Sequence, residues 1–159
     1  MISIWKKKKM KELTAYLDGR LLPIHEVPDE IFSKKMMGDG VAIIAVNEEV
    51  CAPCDGEISL IAPTKHAIAI TTDDHIQLLI HIGLDSANLP KDCFDVLISQ
   101  GERVKQGQPL VHIASSYLQS QSSLYVPMVM IDPPKNISFH LPEGIQQVKR
   151  KESVIISYE

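Results

Sequence analysis

Apolar residues occur along this chain in short runs, which are bounded by glycine, proline and aspartate. Runs of this kind, rich in β-branched residues, predict β-strands, and a helical period is visible only weakly over residues 115–122. The predicted strands cover residues 13–17, 20–23, 41–46, 57–61, 66–72, 75–82, 110–113, 125–131 and 154–156, with one helical turn within 29–35. This pattern indicates an all-β fold, an antiparallel β-sandwich or barrel-like single domain with short helical turns.

Two of the predicted strands flank the acidic dipeptide 73–74 and therefore predict a β-hairpin. If that dipeptide is the turn, strand pairing places Ile68 opposite Leu79. The same register places His66 opposite His81. Side chains on directly opposite residues lie about 4.5–5.5 Å apart at Cβ, which lets two imidazoles touch. Apposed imidazoles suit phosphoryl transfer or metal binding, whereas the competing interpretation is a pair of inert, hydrogen-bonded histidines.

The predicted register also divides the hairpin into two faces. One face is expected to lie in the core and carries Ala67, Ala69, Leu78, Ile80 and Ile82. The other face carries His66, Ile68, Leu79 and His81, two histidines among aliphatic side chains. Such a mixture predicts a shallow patch on which a partner docks. Burial of both faces is the alternative.

Charge is unevenly distributed along the chain of 159 residues. The first eleven residues contain five lysines and no acid, whereas the whole chain has a net charge of −4, so the remainder carries −9. A nucleic-acid-binding domain normally presents a basic face, and the acidic body argues against that function. No apolar run approaches the roughly 20 residues of a membrane span, and no signal-peptide pattern is present.

The basic N-terminal segment predicts a flexible tail over residues 1–12, followed by one domain over residues 13–159. Ile2, Ile4 and Trp5 beside the lysines predict weak contact of residues 1–11 with an anionic membrane surface. The alternative is a solvated, flexible tail.

Cysteines are few, and they do not predict a disulfide framework. Cys51 and Cys54 form a Cys-x-x-Cys motif, and only Cys93 remains. A redox motif would need a strand-to-helix context, and a structural zinc site would need a second pair of ligands. We therefore expect ordinary thiols in a reducing cytoplasm.

Several segments taken together resemble the glucose-type IIA domain of the bacterial sugar phosphotransferase system. They are Val27-Pro28-Asp29 with 32–43, Ala52-Pro53-Cys54-Asp55-Gly56-Glu57-Ile58, Thr64-Lys65-His66-Ala67, Ile80-His81-Ile82-Gly83-Leu84-Asp85, and Gly101 through 104–110. Each motif is weak alone, but their common order and spacing make the set specific. The resemblance covers nearly the whole chain beyond the tail.

The resemblance implies an all-β sandwich with a shallow active face and a phosphocarrier function. His81, in a His-x-Gly-x-Asp motif, would accept a phosphoryl group on its tele nitrogen from the phosphorylated carrier protein HPr. His66 would be the accessory histidine, and Thr64 would fix its tautomer. Gly83 would let backbone N–H groups approach the phosphoryl oxygens. Asp85 would orient groups at the rim.

The implied partners are phospho-HPr and the cysteine of a sugar-specific IIB domain, in the cytoplasm or at the inner face of the membrane. Asp39 and Asp85 would meet basic residues of these partners, and Val41, Ile68 and Leu79 would complete the docking patch. No cofactor is required. His66 and His81 supply two of the four ligands of a zinc site, so zinc is expected only where water or a partner completes it. The alternative function is a regulatory binding module gated by phosphorylation.

Overall fold

The computed structural model describes residues 10–86 and 89–159. Its strands are β1 (Lys11–Thr14), β2 (Gly19–Pro23), β3 (Asp39–Ala45), β4 (Glu49–Cys51), β5 (Gly56–Ile61), β6 (Ala67–Thr71), β7 (Gln77–His81), β8 (Phe94–Val96), β9 (Arg103–Val104), β10 (Pro109–Ile113), β11 (Tyr125–Ile131), β12 (Phe139–His140), β13 (Gln146–Val148) and β14 (Val154–Tyr158). Two short helices, α1 (Glu30–Ser33) and α2 (Ser115–Ser120), and 3-10 turns at Ile24–Glu26 and Lys91–Cys93 connect them.

The strands form an antiparallel β-sandwich, which confirms the predicted fold class. The large sheet has the order β13-β2-β3-β11-β7-β6-β5-β9, and two three-stranded sheets have the orders β1-β14-β12 and β4-β10-β8. Within the described residues these sheets do not close into a barrel. The two short helices fall where the sequence predicts them, α1 after an Asp29 cap and α2 within 115–122.

Both faces of the large sheet are buried near its centre. Odd-numbered residues of β3, such as Val41 and Ile43, point into the main core between the large sheet and the two small sheets. Ala42, between them, points to the outer face. There a smaller apolar cluster lies under α1 and the first 3-10 turn, and it contains Leu22, Ile24, Val27, Phe32, Ala42, Ala67, Ala69, Leu79 and Val129. The outer cluster gives the large sheet a second layer of packing, next to His81.

The predicted register of the β6–β7 hairpin is wrong by one residue. The structure pairs Ala67 with His81 and Ala69 with Leu79, because the connecting loop runs from Thr72 to Ile76 rather than over the acidic dipeptide alone. The Thr72 N–H donates to the Ile76 carbonyl at 2.9 Å. Alanines 67 and 69 consequently share the outer face with Leu79 and His81, whereas isoleucines 68 and 70 face the main core.

The first strand begins at Lys11, inside the segment expected to be tail. Its ammonium group contacts both carboxylate oxygens of Asp74 at 2.6 Å, so this lysine is held against the β6–β7 loop. The expectations for Ile2, Ile4 and Trp5 lie outside the described residues. No helix in the described ranges is long and apolar enough to cross a membrane.

Candidate functional site

His81 ends strand β7 on the outer face of the large sheet, and the backbone beside it fixes its ring. Its Nδ1 lies 2.7 Å from the carbonyl oxygen of Gly83. A carbonyl oxygen only accepts, so Nδ1 carries the proton and donates it to Gly83. The lone pair of the neutral ring is then on Nε2. This hydrogen bond therefore leaves Nε2, the tele nitrogen, as the ring atom with the free lone pair.

His66 reaches His81 from outside the strand ladder. The chain turns between Ala62 and Lys65, whose N–H donates to the Ala62 carbonyl at 2.8 Å and whose φ is +63°. The His66 carbonyl accepts the N–H of Ile82 at 2.7 Å, which ties the turn to the end of β7. As a result the rings of His66 and His81 lie 4.8 Å apart, centroid to centroid, at an interplanar angle of 74°.

Thr64 sets the state of the second imidazole. Its hydroxyl oxygen is hydrogen-bonded to Nδ1 of His66. When the hydroxyl donates, Nδ1 is the acceptor and the proton of the neutral ring is on Nε2. In that tautomer His66 presents an N–H group, whereas His81 presents a lone pair. The two rings thus present complementary groups, a lone pair on His81 and an N–H on His66.

Gly83 forms the turn that follows His81, and both of its backbone polar groups are hydrogen-bonded. Its N–H donates to the Tyr125 carbonyl at 2.9 Å, so it is not free to bind a phosphoryl oxygen. The φ of Gly83 is +85°, a conformation that residues with a Cβ rarely adopt. The glycine is therefore needed for the turn that aims its carbonyl at His81.

A shallow depression of about 180 Å³ lies beside His81, and its walls include residues that sequence reasoning did not single out. The ring of Phe32 packs edge-on against His81 at a centroid distance of 5.3 Å. Asp29, the cap of α1, and Ser86 also line the depression, together with the expected Asp85. The signal available for Phe32 and Asp29 was a helix cap followed by one large apolar residue.

Burial lowers the pKa of both histidines. For His81 the largest cause is desolvation, followed by the opposing effect of its hydrogen bond to Gly83, while His66 lowers the pKa further and Asp29 and Asp85 raise it. The pKa of His66 is lowered by desolvation alone. The lowered pKa values favour the neutral form of both rings at pH 7. A neutral imidazole is the form that can attack an electrophile.

Apart from Asp85, which lines the depression, the residues expected to contact partners are in different environments. Val41 and Ile68 are 0% and 2% exposed in the main core, so the expectation of direct partner contact is wrong for their side chains. Leu79 faces the outer cluster but is only 5% exposed. Asp39 is exposed and lies 3.4 Å from the Lys35 ammonium, and it does not line the depression around His81.

Exposed apolar surface lies instead on α1 and the turn that follows it. Ile31 is 48% exposed and Met36 is 70% exposed, and the neighbouring Met37 lines the depression together with Ile31. These three side chains are called here the α1 patch. Acidic Asp29 and Asp85 border the same depression. The surface around His81 is therefore apolar with a negative rim.

Metal binding has limited support in the described part of the chain. No group of three or more histidine, cysteine or acidic residues there is placed to hold a metal ion. His66 and His81 alone supply two nitrogen ligands. Cys51 and Cys54 are buried, and desolvation raises their pKa values to about 11 and about 12, so neither thiol is activated.

Comparisons with known proteins agree with this geometry. A family model described as the phosphoenolpyruvate-dependent sugar phosphotransferase system, EIIA 1, matches residues 11–136. Among solved structures, the glucose permease IIA from Mycoplasma capricolum is similar with a TM-score of 0.83 and 30% sequence identity. That similarity covers 97% of this chain and 99% of the other.

Proposed function

Because this chain belongs to the EIIA 1 family of the phosphoenolpyruvate-dependent sugar phosphotransferase system, and is thus a phosphotransferase component, we propose that Nε2 of His81 carries the phosphoryl group. The donor would be phospho-HPr, and the acceptor a cysteine of a sugar-specific IIB domain. The observation that carries the proposal is the 2.7 Å contact of Nδ1 with the Gly83 carbonyl, which leaves Nε2 unprotonated. The neighbouring imidazole supplies a donor for the phosphoryl oxygens.

In the acceptance step, the lone pair on Nε2 of His81 forms a bond to phosphorus. The P–N bond of phosphohistidine on HPr breaks in line, and its electron pair returns to the HPr imidazole. Nδ1 of His81 keeps its proton throughout, since the Gly83 carbonyl continues to accept it. The imidazolium that forms is stabilised by this hydrogen bond and by Asp29 and Asp85, both of which raise the pKa of the ring.

In the donation step, a thiolate of the IIB domain attacks the same phosphorus. A P–S bond forms, the P–N bond breaks, and its electron pair returns to Nε2 of His81. Negative charge accumulates on the equatorial phosphoryl oxygens during the transfer, where an N–H donor is most effective. We assign that donor to His66, with Thr64 holding its tautomer.

Docking of both partners is assigned to the α1 patch rather than to the strands. Ile31 and Met36 offer exposed apolar area next to the nucleophile, and Asp29 and Asp85 attract a basic surface. Opposite charges at the rim raise the association rate more than the affinity. The expected partner surface is therefore an apolar centre with basic residues around it.

The experiment is phosphorylation by phosphoenolpyruvate, enzyme I and HPr, followed by mass spectrometric location of the phosphoryl group. His81→Ala should abolish labelling. His140→Ala is the control, because His140 is exposed at the end of β12 and pairs with Glu159 at 3.6 Å. Labelling of the His81 variant at the parental rate would refute the assignment.

A regulatory role with a partner-completed zinc site is the second candidate. The contact between the two imidazoles favours it, since a carboxylate from a partner and a water molecule would complete a tetrahedral set. Calorimetric titration of zinc into the parent and into His66→Ala, with and without a partner, tests it. Equal zinc affinity of both proteins would exclude the pair as ligands.

A further inference from the structure

Helix α2 lies next to the turn that follows β7. Its Tyr117 side chain contacts Gly83, the residue whose carbonyl orients His81. Tyr117 is 7% exposed, and its ring packs edge-on against Phe94 with centroids 5.4 Å apart. Its hydroxyl oxygen points at Gly83. A Cβ built on that glycine would lie only 2.6 Å from the hydroxyl oxygen of Tyr117. The hydroxyl therefore occupies the side of Gly83 on which a side chain would otherwise stand.

Gly83 needs such support because it has no side chain of its own. Glycine adopts many backbone conformations at similar energy, and a rotation of its peptide would move its carbonyl away from Nδ1 of His81. The N–H of Gly83 is held by the Tyr125 carbonyl, and its carbonyl accepts from His81. The third constraint is the packing on the side of Gly83 where a Cβ would stand, which Tyr117 provides together with Ser86 and Leu124.

The position of Tyr117 is itself well fixed. The N–H of Ala114, just before α2, donates to the Cys93 carbonyl at 2.8 Å, and this joins the helix to the segment that leads into β8. The N–H of Tyr117 donates to the Ala114 carbonyl at 3.0 Å. Burial raises the pKa of the Tyr117 hydroxyl, so the group stays neutral and compact. These two hydrogen bonds and the contact with Phe94 fix the position of the Tyr117 ring.

We propose that Tyr117 is a positioning residue for the phosphoryl-transfer reaction: its hydroxyl holds Gly83 so that the carbonyl keeps the proton of His81 on Nδ1. Loss of this support lets the proton occupy Nε2 in part of the molecules, and those molecules have no lone pair at the reacting atom. The kinetic part of this inference rests on the proposed function. The effect on the tautomer does not.

The first test compares the parent with Tyr117→Phe, which removes the hydroxyl and keeps the ring against Phe94. Long-range 1H–15N correlation spectra report which nitrogen of His81 is protonated, without any partner protein. We expect a single Nδ1–H form in the parent and a second, Nε2–H population in the variant. The rate of phosphoryl acceptance should fall roughly tenfold, as when a group that orients a functional imidazole is removed.

The matched control is Tyr158→Phe. Its hydroxyl is also removed from a buried ring, but it donates to Asp74 at 3.0 Å, in the loop before β7, whereas His81 lies at the other end of that strand. This variant should keep the parental tautomer and rate. If Tyr117→Phe also keeps both, the contact with Gly83 has no positioning role and the proposal is wrong.

The second test is a double-mutant cycle with Gly83→Ala. The added methyl group collides with the Tyr117 hydroxyl and is also strained at the φ of +85°, so the single variant should lose both the Nδ1–H form and most of its acceptance rate. In Gly83→Ala/Tyr117→Phe the colliding atom is absent, and part of the rate should return. If the two effects are independent, the rate loss of the double variant equals the product of the two single losses. That result would contradict direct support of Gly83 by the Tyr117 hydroxyl. If phospho-HPr labels no variant or parent, the proposed function fails, whereas the tautomer spectra still decide the role of Tyr117.

Discussion

Replacement of Phe32 by alanine should change both the stability of the protein and the ionisation of His81. Phe32 is 3% exposed and belongs to the outer cluster, where its ring covers one side of the His81 imidazole. Phenylalanine-to-alanine replacements in cores cost about 3–5 kcal/mol. We expect about 3 kcal/mol here, because the cluster lies under a single helical turn that can partly collapse into the space.

The same replacement admits water to His81. Desolvation is the largest cause of its lowered pKa, so the pKa should rise toward 6.5 in Phe32→Ala. More of the ring is then protonated at pH 6, and phosphoryl acceptance should decrease at a higher pH than in the parent. At pH 8 the ring is neutral in both proteins, and the difference in rate should be much smaller.

The pH dependence of stability follows with a defined sign. In the unfolded chain His81 titrates near its ordinary value of 6.5, and in the folded protein below it. The contribution of neutral His81 to the free energy of unfolding is therefore fully present above pH 6.5. It is lost as the pH falls through the lower pKa that His81 has in the folded protein. Phe32→Ala narrows the gap between the two pKa values, so its free energy of unfolding should depend less on pH in this range.

NMR titration of His81 and urea denaturation between pH 5 and pH 8 measure these effects. Ile156→Ala is the control, because Ile156 is 1% exposed in β14 and its loss destabilises the main core without uncovering His81. It should leave the pKa of His81 unchanged. An unchanged or further lowered pKa of His81 in Phe32→Ala would refute the argument that this ring desolvates the nucleophile.

Three further changes have defined outcomes. His66→Gln should still be phosphorylated at His81 but should donate to a IIB domain about 10²-fold more slowly, as expected for loss of one transition-state donor; equal single-turnover donation rates would contradict this. Lys65→Ile should destabilise the turn by about 1–2 kcal/mol and separate the two imidazoles, because a β-branched residue disfavours a positive φ, whereas Lys65→Asn should be tolerated in urea denaturation and NMR. We propose that residues 1–11 bind anionic lipid, so Trp5 fluorescence should shift to the blue with anionic but not neutral vesicles, and the shift should diminish with salt. Deletion of residues 1–11 should leave labelling of His81 unchanged, and an absent shift at low salt would favour a solvated tail.

For the β6–β7 hairpin, the local sequence pattern predicted part of the structure. Its two strands and the proximity of the histidines were predicted, but the register was not, since Asp73 and Asp74 look like a complete two-residue turn. The loop is instead closed by the Thr72 hydroxyl, which accepts the Ile76 N–H at 3.0 Å, and by His75 at a φ of +66°. No glycine or asparagine marks that left-handed position, so the sequence carried no signal for the longer loop.

Val41 and Ile68, two residues of the predicted docking patch, are buried for a related reason. Strand β3 is apolar on both faces because the outer cluster covers its second face, and alternation cannot then tell which side a partner would reach. In β6 the predicted register was wrong by one residue, so the prediction placed Ile68 on the docking surface although it lies in the main core. The histidine contact survived that error because His66 precedes the ladder and is placed by the turn at Lys65. The contact was predicted from a register that sets His66 opposite His81, whereas in the structure His81 pairs with Ala67.

The most direct measurement of the central claim is the position of the phosphoryl group on the imidazole. Uniformly 15N-labelled protein is phosphorylated by phosphoenolpyruvate, enzyme I and HPr, and the 31P–15N coupling is recorded by NMR. The structure predicts coupling to Nε2 of His81 and a proton retained on Nδ1. Coupling to Nδ1, to a nitrogen of His66, or to no histidine would contradict the account.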